Sequence, residues 1–329
     1  QGKKLVYISP WGKYVYFVDK INEQLPGFED HVIAVQNHPE YHLEESNSYG
    51  FKSQYCAWAP VFKASLLLST LPHLHFNDQE KEIGKNVLSQ MGLPQSASFV
   101  CFHSRDSAYL NAIDLQRDWS YHDYRDSNIH NYLLAAEELV NRHYFTIRVG
   151  SVVSERLETT NEKIIDYASH YHSDFMDLFL ISKCRFFIAS PSGLGNSPLL
   201  FRKPTLTVNA AHFGYIPSWS GKELFIIKKF WWRNEKRLLT IKEICQVGIE
   251  DISTENFTKT GIELIENTPE EIREAVIEMD ERLKGVWEET EEDERLQQRF
   301  WSIVESQEIH RPPKLRIGAA FLRQNQEIL

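Results

Sequence analysis

The 329-residue chain is predicted to fold as an α/β protein of two domains, the second of them a doubly wound parallel sheet. Three observations predict this. Beyond residue 98, short and nearly continuous apolar runs recur about a helix length apart, which is how strands covered on both faces read. Helical patterns fill most of the gaps between them. With 42% hydrophobic and 25% charged residues, a chain of this length has apolar surface for two ordinary cores.

The elements follow in order. Leu5 to Ser9 reads as a strand, Lys13 to Leu25 as a helix closed by Pro26-Gly27, and His31 to Val35 as a second strand, together one β-α-β unit. The stretch to Phe76 is rich in aromatics, Pro and His, and its one clear apolar run is Ala64 to Leu71. Asn77 followed by Glu80 marks a helix start and Gly92 with Pro94 a stop, so residues 78–91 are expected to be helical. A domain boundary is expected there. Residues 1–95 would be an N-terminal Rossmann-like domain, incomplete if the chain lacks N-terminal sequence, 96–310 the second domain, and 311–329 a tail packing back on the first.

In the second domain strands are expected at Phe99-His103, Tyr144-Val149, Lys163-Tyr167, Arg185-Ala189, Thr205-Val208 and Leu224-Ile227, with helices at Ile129-Asn141, Phe175-Ser182 and Asn196-Phe201. A last helix is signalled by Thr268 as cap, Pro269 at the first helical position and Glu271 completing a capping box. Ile272, Ala275, Val276, Met279 and Leu283 fall on one of its faces. After it comes the acidic run Glu288 to Glu294.

Charge and composition narrow the function. Lys and Arg total 36 against 46 acidic residues, which disfavours binding nucleic acid by bulk charge. No stretch of 18 apolar residues occurs and the opening lacks the pattern of a signal peptide, so a soluble protein is expected, and the cysteine usage points to a cytoplasmic one. The four cysteines are widely spaced, as reduced structural thiols are. The first residue is Gln1, which suggests numbering that starts inside a longer natural chain or after processing.

In an open α/β sheet, ligands bind beyond the carboxyl ends of strands, where helix N-termini also point backbone amides. Three such ends carry chemistry. His103-Ser104-Arg105-Asp106 offers a guanidinium that can grip phosphate bidentately, beside a carboxylate that can orient it or act as general base. The same pair reads equally as an ion pair pinning a loop. Arg148-Val149-Gly150 delivers a second arginine and then a residue that lets backbone approach closely, so two arginines could meet over one diphosphate. Arg148 alone reads equally as a partner for a helix C-terminus. Ser190-Pro191-Ser192-Gly193-Leu194-Gly195-Asn196 runs from a strand through a small-residue turn into a helix, a phosphate- or sugar-binding arrangement or else a tight structural turn. It lacks the third glycine of a dinucleotide fingerprint.

Other constellations carry less. His38 and His42 are four apart, but Pro39 works against the helix that would align them, and His73 with His75 and His170 with His172 have no third ligand nearby; no metal site is expected. Phe230-Trp231-Trp232-Arg233 could stack on a sugar or form a core edge.

The segments Phe99 to Asp106, Asp123-Tyr124-Arg125-Asp126-Ser127-Asn128-Ile129, Ile147 to Gly150 and Phe186 to Gly193 together resemble a family of bacterial glycosyltransferases over residues 77–210, and Ile317 to Leu322 looks like that family's ending. The His-x-Arg is also similar to the motif with which GT-B fucosyltransferases hold the donor diphosphate, although Asp106 stands where a second basic residue commonly follows. The resemblance implies a GT-B fold of two Rossmann-like domains facing a cleft, and an enzyme that needs no metal or cofactor and inverts the anomeric centre. It implies a nucleotide-sugar donor in the second domain, leaving as a diphosphate held by Arg105 and Arg148. Its acceptor would be a bacterial glycan, lipid-linked saccharide or glycoprotein, with peripheral association to a membrane or biosynthetic complex. It places His103, Gly150, Asp174, Ser190, Ser192, Gly193 and Asn196 at the donor, Tyr124 and Arg125 at a lid or the acceptor, and Asp106 or Asp123 as general base. Two other readings compete with it: a GT-B-like nucleotide-sugar epimerase, and a non-catalytic nucleotide- or sugar-binding domain of a larger protein.

Overall fold

The computed structural model describes residue 72 and residues 74–213, 216, 221–247, 252–306 and 315–329. The expected β-α-β unit of residues 5–35, the apolar run at 64–71 and the histidines at 38, 42 and 73 lie outside the described residues.

Seven parallel strands form the central sheet: β1 (Phe99–His103), β2 (Phe145–Arg148), β3 (Ile164–Asp166), β4 (Phe187–Ala189), β5 (Thr205–Ala210), β6 (Leu224–Ile227) and β10 (Arg316–Ile317). Their order is β10-β6-β5-β4-β1-β2-β3. The run from β3 to β6 is the strand order of the dinucleotide-binding Rossmann fold, with β10 added at one edge. The chain reverses direction across the sheet between β1 and β4, so the connections leaving these two neighbours diverge to opposite sides and open a crevice at their carboxyl ends.

Each strand is apolar on both faces because both are covered. Val100, Phe102, Ile188 and Leu206 belong to one core, with Leu139 of α3 (Leu133–Asn141), Val276 and Met279 of α8 (Pro269–Lys284), and Phe300 of α9 (Glu291–Ser306). Phe99, Cys101, Ile147 and Phe187 belong to the other, with Met91 at the end of α1 (Asp78–Gln90) and Phe179 and Leu180 of α5 (Asp174–Lys183). Cys101, Cys184 and Cys245 are buried free thiols.

Local signals set the helix ends. Asn77 and Glu80 form the expected capping box on α1, and Thr268 and Glu271 form one on α8. The 129–141 helix divides into a 3-10 turn (Ile129–Tyr132) and α3. Residues Leu194–Phe201 form a 3-10 helix with Pro198 inside it, whose missing N–H leaves one bond of the turn unmade.

Two expectations are corrected. Helix α1, placed on the far side of a boundary at residue 95, packs on this sheet, with Gly84 close against the ring of Phe179. The domain therefore begins at least as early as Leu74, itself in this core. The described part of the tail does not leave the domain: β10 pairs with β6, and α10 (Ala319–Gln324) sits beside α8 and α9, with Ala319 N–H donating to Glu278 at 2.7 Å. The acidic run leads into α9, whose first turn holds Glu291, Glu292, Asp293 and Glu294, where negative charge favours a helix N-terminus. Leu296, Phe300, Trp301 and Val304 on its inner face are buried, and each large side chain contributes roughly 2 kcal/mol.

A smaller antiparallel sheet of β8 (Arg237–Leu238), β7 (Lys229–Trp232) and β9 (Ile262–Ile265) lies beside the main one. It absorbs the aromatic cluster as a core edge, with Phe230 buried against Phe257 of α7 (Thr254–Lys259) at 5.8 Å between ring centroids.

Candidate functional site at the switch point

A cavity of about 140 Å³ opens at the carboxyl ends of β1 and β4, where the strand order reverses. His103, Arg105 and Asp106 enter it from the end of β1, Ser192 and Gly193 from the loop after β4, and Ser151 and Val152 from the loop after β2. A further wall comes from residues 107–125, through Tyr109, Leu110, Trp119, His122 and Arg125.

Arg105 is set by hydrogen bonds of its own backbone. Its N–H donates to Ser190 Oγ at 2.7 Å and its carbonyl accepts from Ser127 N–H at 3.0 Å, while Ser190 N–H donates back to the His103 carbonyl at 3.2 Å. The strand ends are thus stitched together beneath the cavity. The side chain is 8% exposed and its Nη1 is in contact with Asp126, whose carbonyl accepts from the buried Lys228 ammonium at 2.6 Å. Nη2 is buried with no hydrogen-bond partner among the described residues. A buried donor of this kind calls for an explanation, and an anion in the cavity supplies one. Burial, and then the neighbouring Arg125, lower the Arg105 pKa to about 10.

His103 is half-buried and pairs Nδ1 with the Val149 carbonyl at 3.1 Å. A carbonyl only accepts, so Nδ1 carries the proton and Nε2 keeps its lone pair. Burial lowers its pKa to about 4, so the ring is neutral at physiological pH. Gly150 lets the chain pass behind this ring: a Cβ there would lie 3.2 Å from Val153 Cγ1 and 3.7 Å from His103 Nδ1.

Asp106 lines the cavity, but both its oxygens are engaged. Oδ1 accepts from Ala108 N–H at 2.9 Å, at the start of α2 (Ala108–Ile113), and Oδ2 accepts from Ser154 N–H at 3.1 Å and Ser154 Oγ at 3.2 Å. The carboxylate clasps two loops. Asp123 lies outside the cavity wall, with one buried oxygen that has no hydrogen-bond partner among the described residues; burial raises its pKa, and Arg105 pulls it back down.

The expectation that Arg148 and Arg105 share one anion pocket is corrected. Arg148 is 2% exposed and turned away, with Nη1 donating to the Glu155 carbonyl at 2.7 Å and facing Asp166 at 3.5 Å. It holds the loop after β2 in place, and the second arginine in the cavity wall is Arg125. Tyr124, expected at a lid or the acceptor, is buried, its N–H donates to Thr254 Oγ1 at 2.9 Å, and its ring lies 5.6 Å from that of Phe257.

The serine-glycine bend divides. Ser192 and Gly193 face the cavity, and Ser192 Oγ accepts from Gly195 N–H at 3.0 Å. Ser190 is fully buried in the stitching already described, and the Asn196 N–H bonds to the Gly193 carbonyl at 3.2 Å behind the wall. Asp174 opens α5 and lies 3.9 Å from His172; its charge, with that of Asp177, raises the pKa of Tyr109 in the cavity wall, after burial.

Two solved structures resemble the chain. E. coli ADP-heptose LPS heptosyltransferase II is 14% identical over 64% of this chain and 54% of its own length, with a TM-score of 0.40. A glycosyl transferase family 9 structure from Veillonella parvula is 13% identical over 64% of this chain and 51% of its own, with a TM-score of 0.36. The chain thus spans about half the length of each, and at these identities the likeness concerns fold alone. No family model and no curated protein matches the chain.

Trp119, Tyr109 and His122 were not foreseen as site residues. Their signal in the sequence was aromatic and imidazole side chains set in an otherwise polar stretch between β1 and α3. Among the described residues no group of three or more His, Cys, Asp or Glu is placed to hold a metal, and no helix is long and apolar enough to cross a membrane.

Proposed function

We propose that the chain carries the donor-binding domain of a GT-B glycosyltransferase, moving a sugar from a nucleotide sugar to a glycan, lipid-linked saccharide or protein acceptor. The observation that carries this is the buried guanidinium of Arg105, one nitrogen of which has no hydrogen-bond partner among the described residues, in the wall of a cavity at the reversal point of a Rossmann-ordered sheet. Arg105 and Arg125 neutralise the diphosphate as it leaves, work that a metal ion does in other enzymes. The Ser192-Gly193 turn offers small-residue backbone to the same anion. The cavity is smaller than the roughly 300 Å³ or more of whole-ligand pockets, so it fits the diphosphate and part of a sugar while the nucleoside extends out of it. Neither carboxylate suits the role of general base as it stands, Asp106 because its oxygens are occupied and Asp123 because it lies outside the cavity wall.

The test is thermal unfolding with millimolar UDP, GDP, CMP and dTDP. A binding nucleotide raises the midpoint by mass action, and the Arg105→Ala protein loses that rise. If none of the four shifts the midpoint, the reading fails.

A further inference from the structure

The cavity wall holds a titratable group that the proposed transfer leaves unused. His122 lines the cavity, and its Nδ1 is buried with no hydrogen-bond partner among the described residues. Its ring is fixed by aromatic contacts, 3.9 Å from Tyr121 and 6.4 Å from Trp119 between centroids, the latter nearly parallel at 14°. The charges around it are mostly positive: Arg125 on its own 3-10 turn, Arg105 from the end of β1 and Arg117 from the loop after α2, with His103 and Asp106 across the same cavity and Asp123 beside it in sequence. Burial, followed by these three arginines, lowers its pKa to about 3.

An anion between these arginines reverses the local field. We propose that His122 is a proton-accepting residue of the anion cavity: neutral in the free protein, it takes a proton from solvent as a diphosphate enters, and donates a hydrogen bond from Nδ1 to a phosphate oxygen. This rests on reading the cavity as a diphosphate site. The proton comes from the buffer and ends on the imidazole, and no covalent bond changes. Nδ1 then has the partner it lacks, and the diphosphate gains a third cation beside Arg105 and Arg125. A histidine serves here because it adds charge only when there is an anion to match it.

Calorimetric titration at pH 6 in buffers of differing ionisation enthalpy tests this, with UDP-glucose, GDP-mannose and ADP-glucose as probes. Their phosphates do not titrate near that pH, so any proton taken up belongs to the protein. Wild-type protein should take up more than roughly half a proton per ligand, and its affinity should tighten between pH 7.5 and 5.5 by up to about tenfold per unit. His122→Asn should bind without uptake. Binding of a probe by wild type with no uptake and a pH-independent Kd overturns the proposal, even if the variant does not fold. Uptake that persists in His122→Asn assigns the proton to another group, with His103 first in line, and also overturns it. If no probe binds to folded wild-type protein, the diphosphate reading fails together with this one.

Discussion

The backbone N–H of Arg105 and the hydroxyl of Ser190 meet at 2.7 Å across 85 residues of sequence, tying the ends of β1 and β4 where the sheet reverses. That bond fixes where the guanidinium stands. Ser190→Ala leaves a buried N–H unpaired and should lower the unfolding free energy by about 1–3 kcal/mol, read from urea denaturation. Because Arg105 loses its tether, ligand affinity should fall as well.

The two arginines expected at the site should behave in opposite ways. Arg105→Ala should abolish nucleotide binding at a smaller cost in stability, since the Asp126 side chain that it leaves is 27% exposed. Arg148→Ala leaves Asp166 buried without its counter-charge and frees the Glu155 carbonyl, and should cost roughly 3 kcal/mol. Equal destabilisation in both variants would contradict this division.

Helix α1 provides a test of the domain limit. Glycine to alanine in a helix normally stabilises by about 1 kcal/mol. At Gly84 the new Cβ would lie 2.3 Å from the Phe179 ring, so Gly84→Ala should instead destabilise, by roughly 1–3 kcal/mol. A raised midpoint would mean that α1 does not pack on this sheet.

Two half-buried histidines set an acid limit. Burial holds His103 and His212 at pKa values of about 4, below the 6.5 or so of an unfolded chain. The unfolded chain therefore binds protons that the folded one refuses, so this contribution to stability is complete above pH 6.5 and is lost as the pH falls towards 4. Over that interval each group should add a slope of up to about 1.4 kcal/mol per pH unit. Unfolding of wild type and His103→Asn at pH 7 and pH 4.5 measures it: the variant should show the shallower decline.

What could be read from the residues alone was whatever depends on near neighbours in the chain. The strands Phe99–His103 and Leu224–Ile227 have the expected bounds, because a run buried on both faces is apolar throughout and ends where polarity returns. The capping boxes at Asn77 and Thr268 were legible because each joins residues three apart. Helix α9 was missed because its acidic first turn, seen without the packing of Phe300 and Trp301, resembles a solvated charge run.

The site divides along the same line. That His103 and Arg105 stand at a strand end followed from sequence, since the end of the apolar run places them there. Which arginine joins Arg105 did not follow. Arg148 and Arg125 are both near the carboxyl ends of the sheet, and the choice between them was made by Glu155 and Asp166, which hold Arg148, and by Thr254 and Phe257, which anchor Tyr124 beside Arg125. Strand order is decided in the same way, by hydrogen bonds between segments tens of residues apart. Hydrophobic pattern tells each segment that it must be buried, and only the tertiary structure decides which neighbours bury it and which polar groups are left facing the cavity.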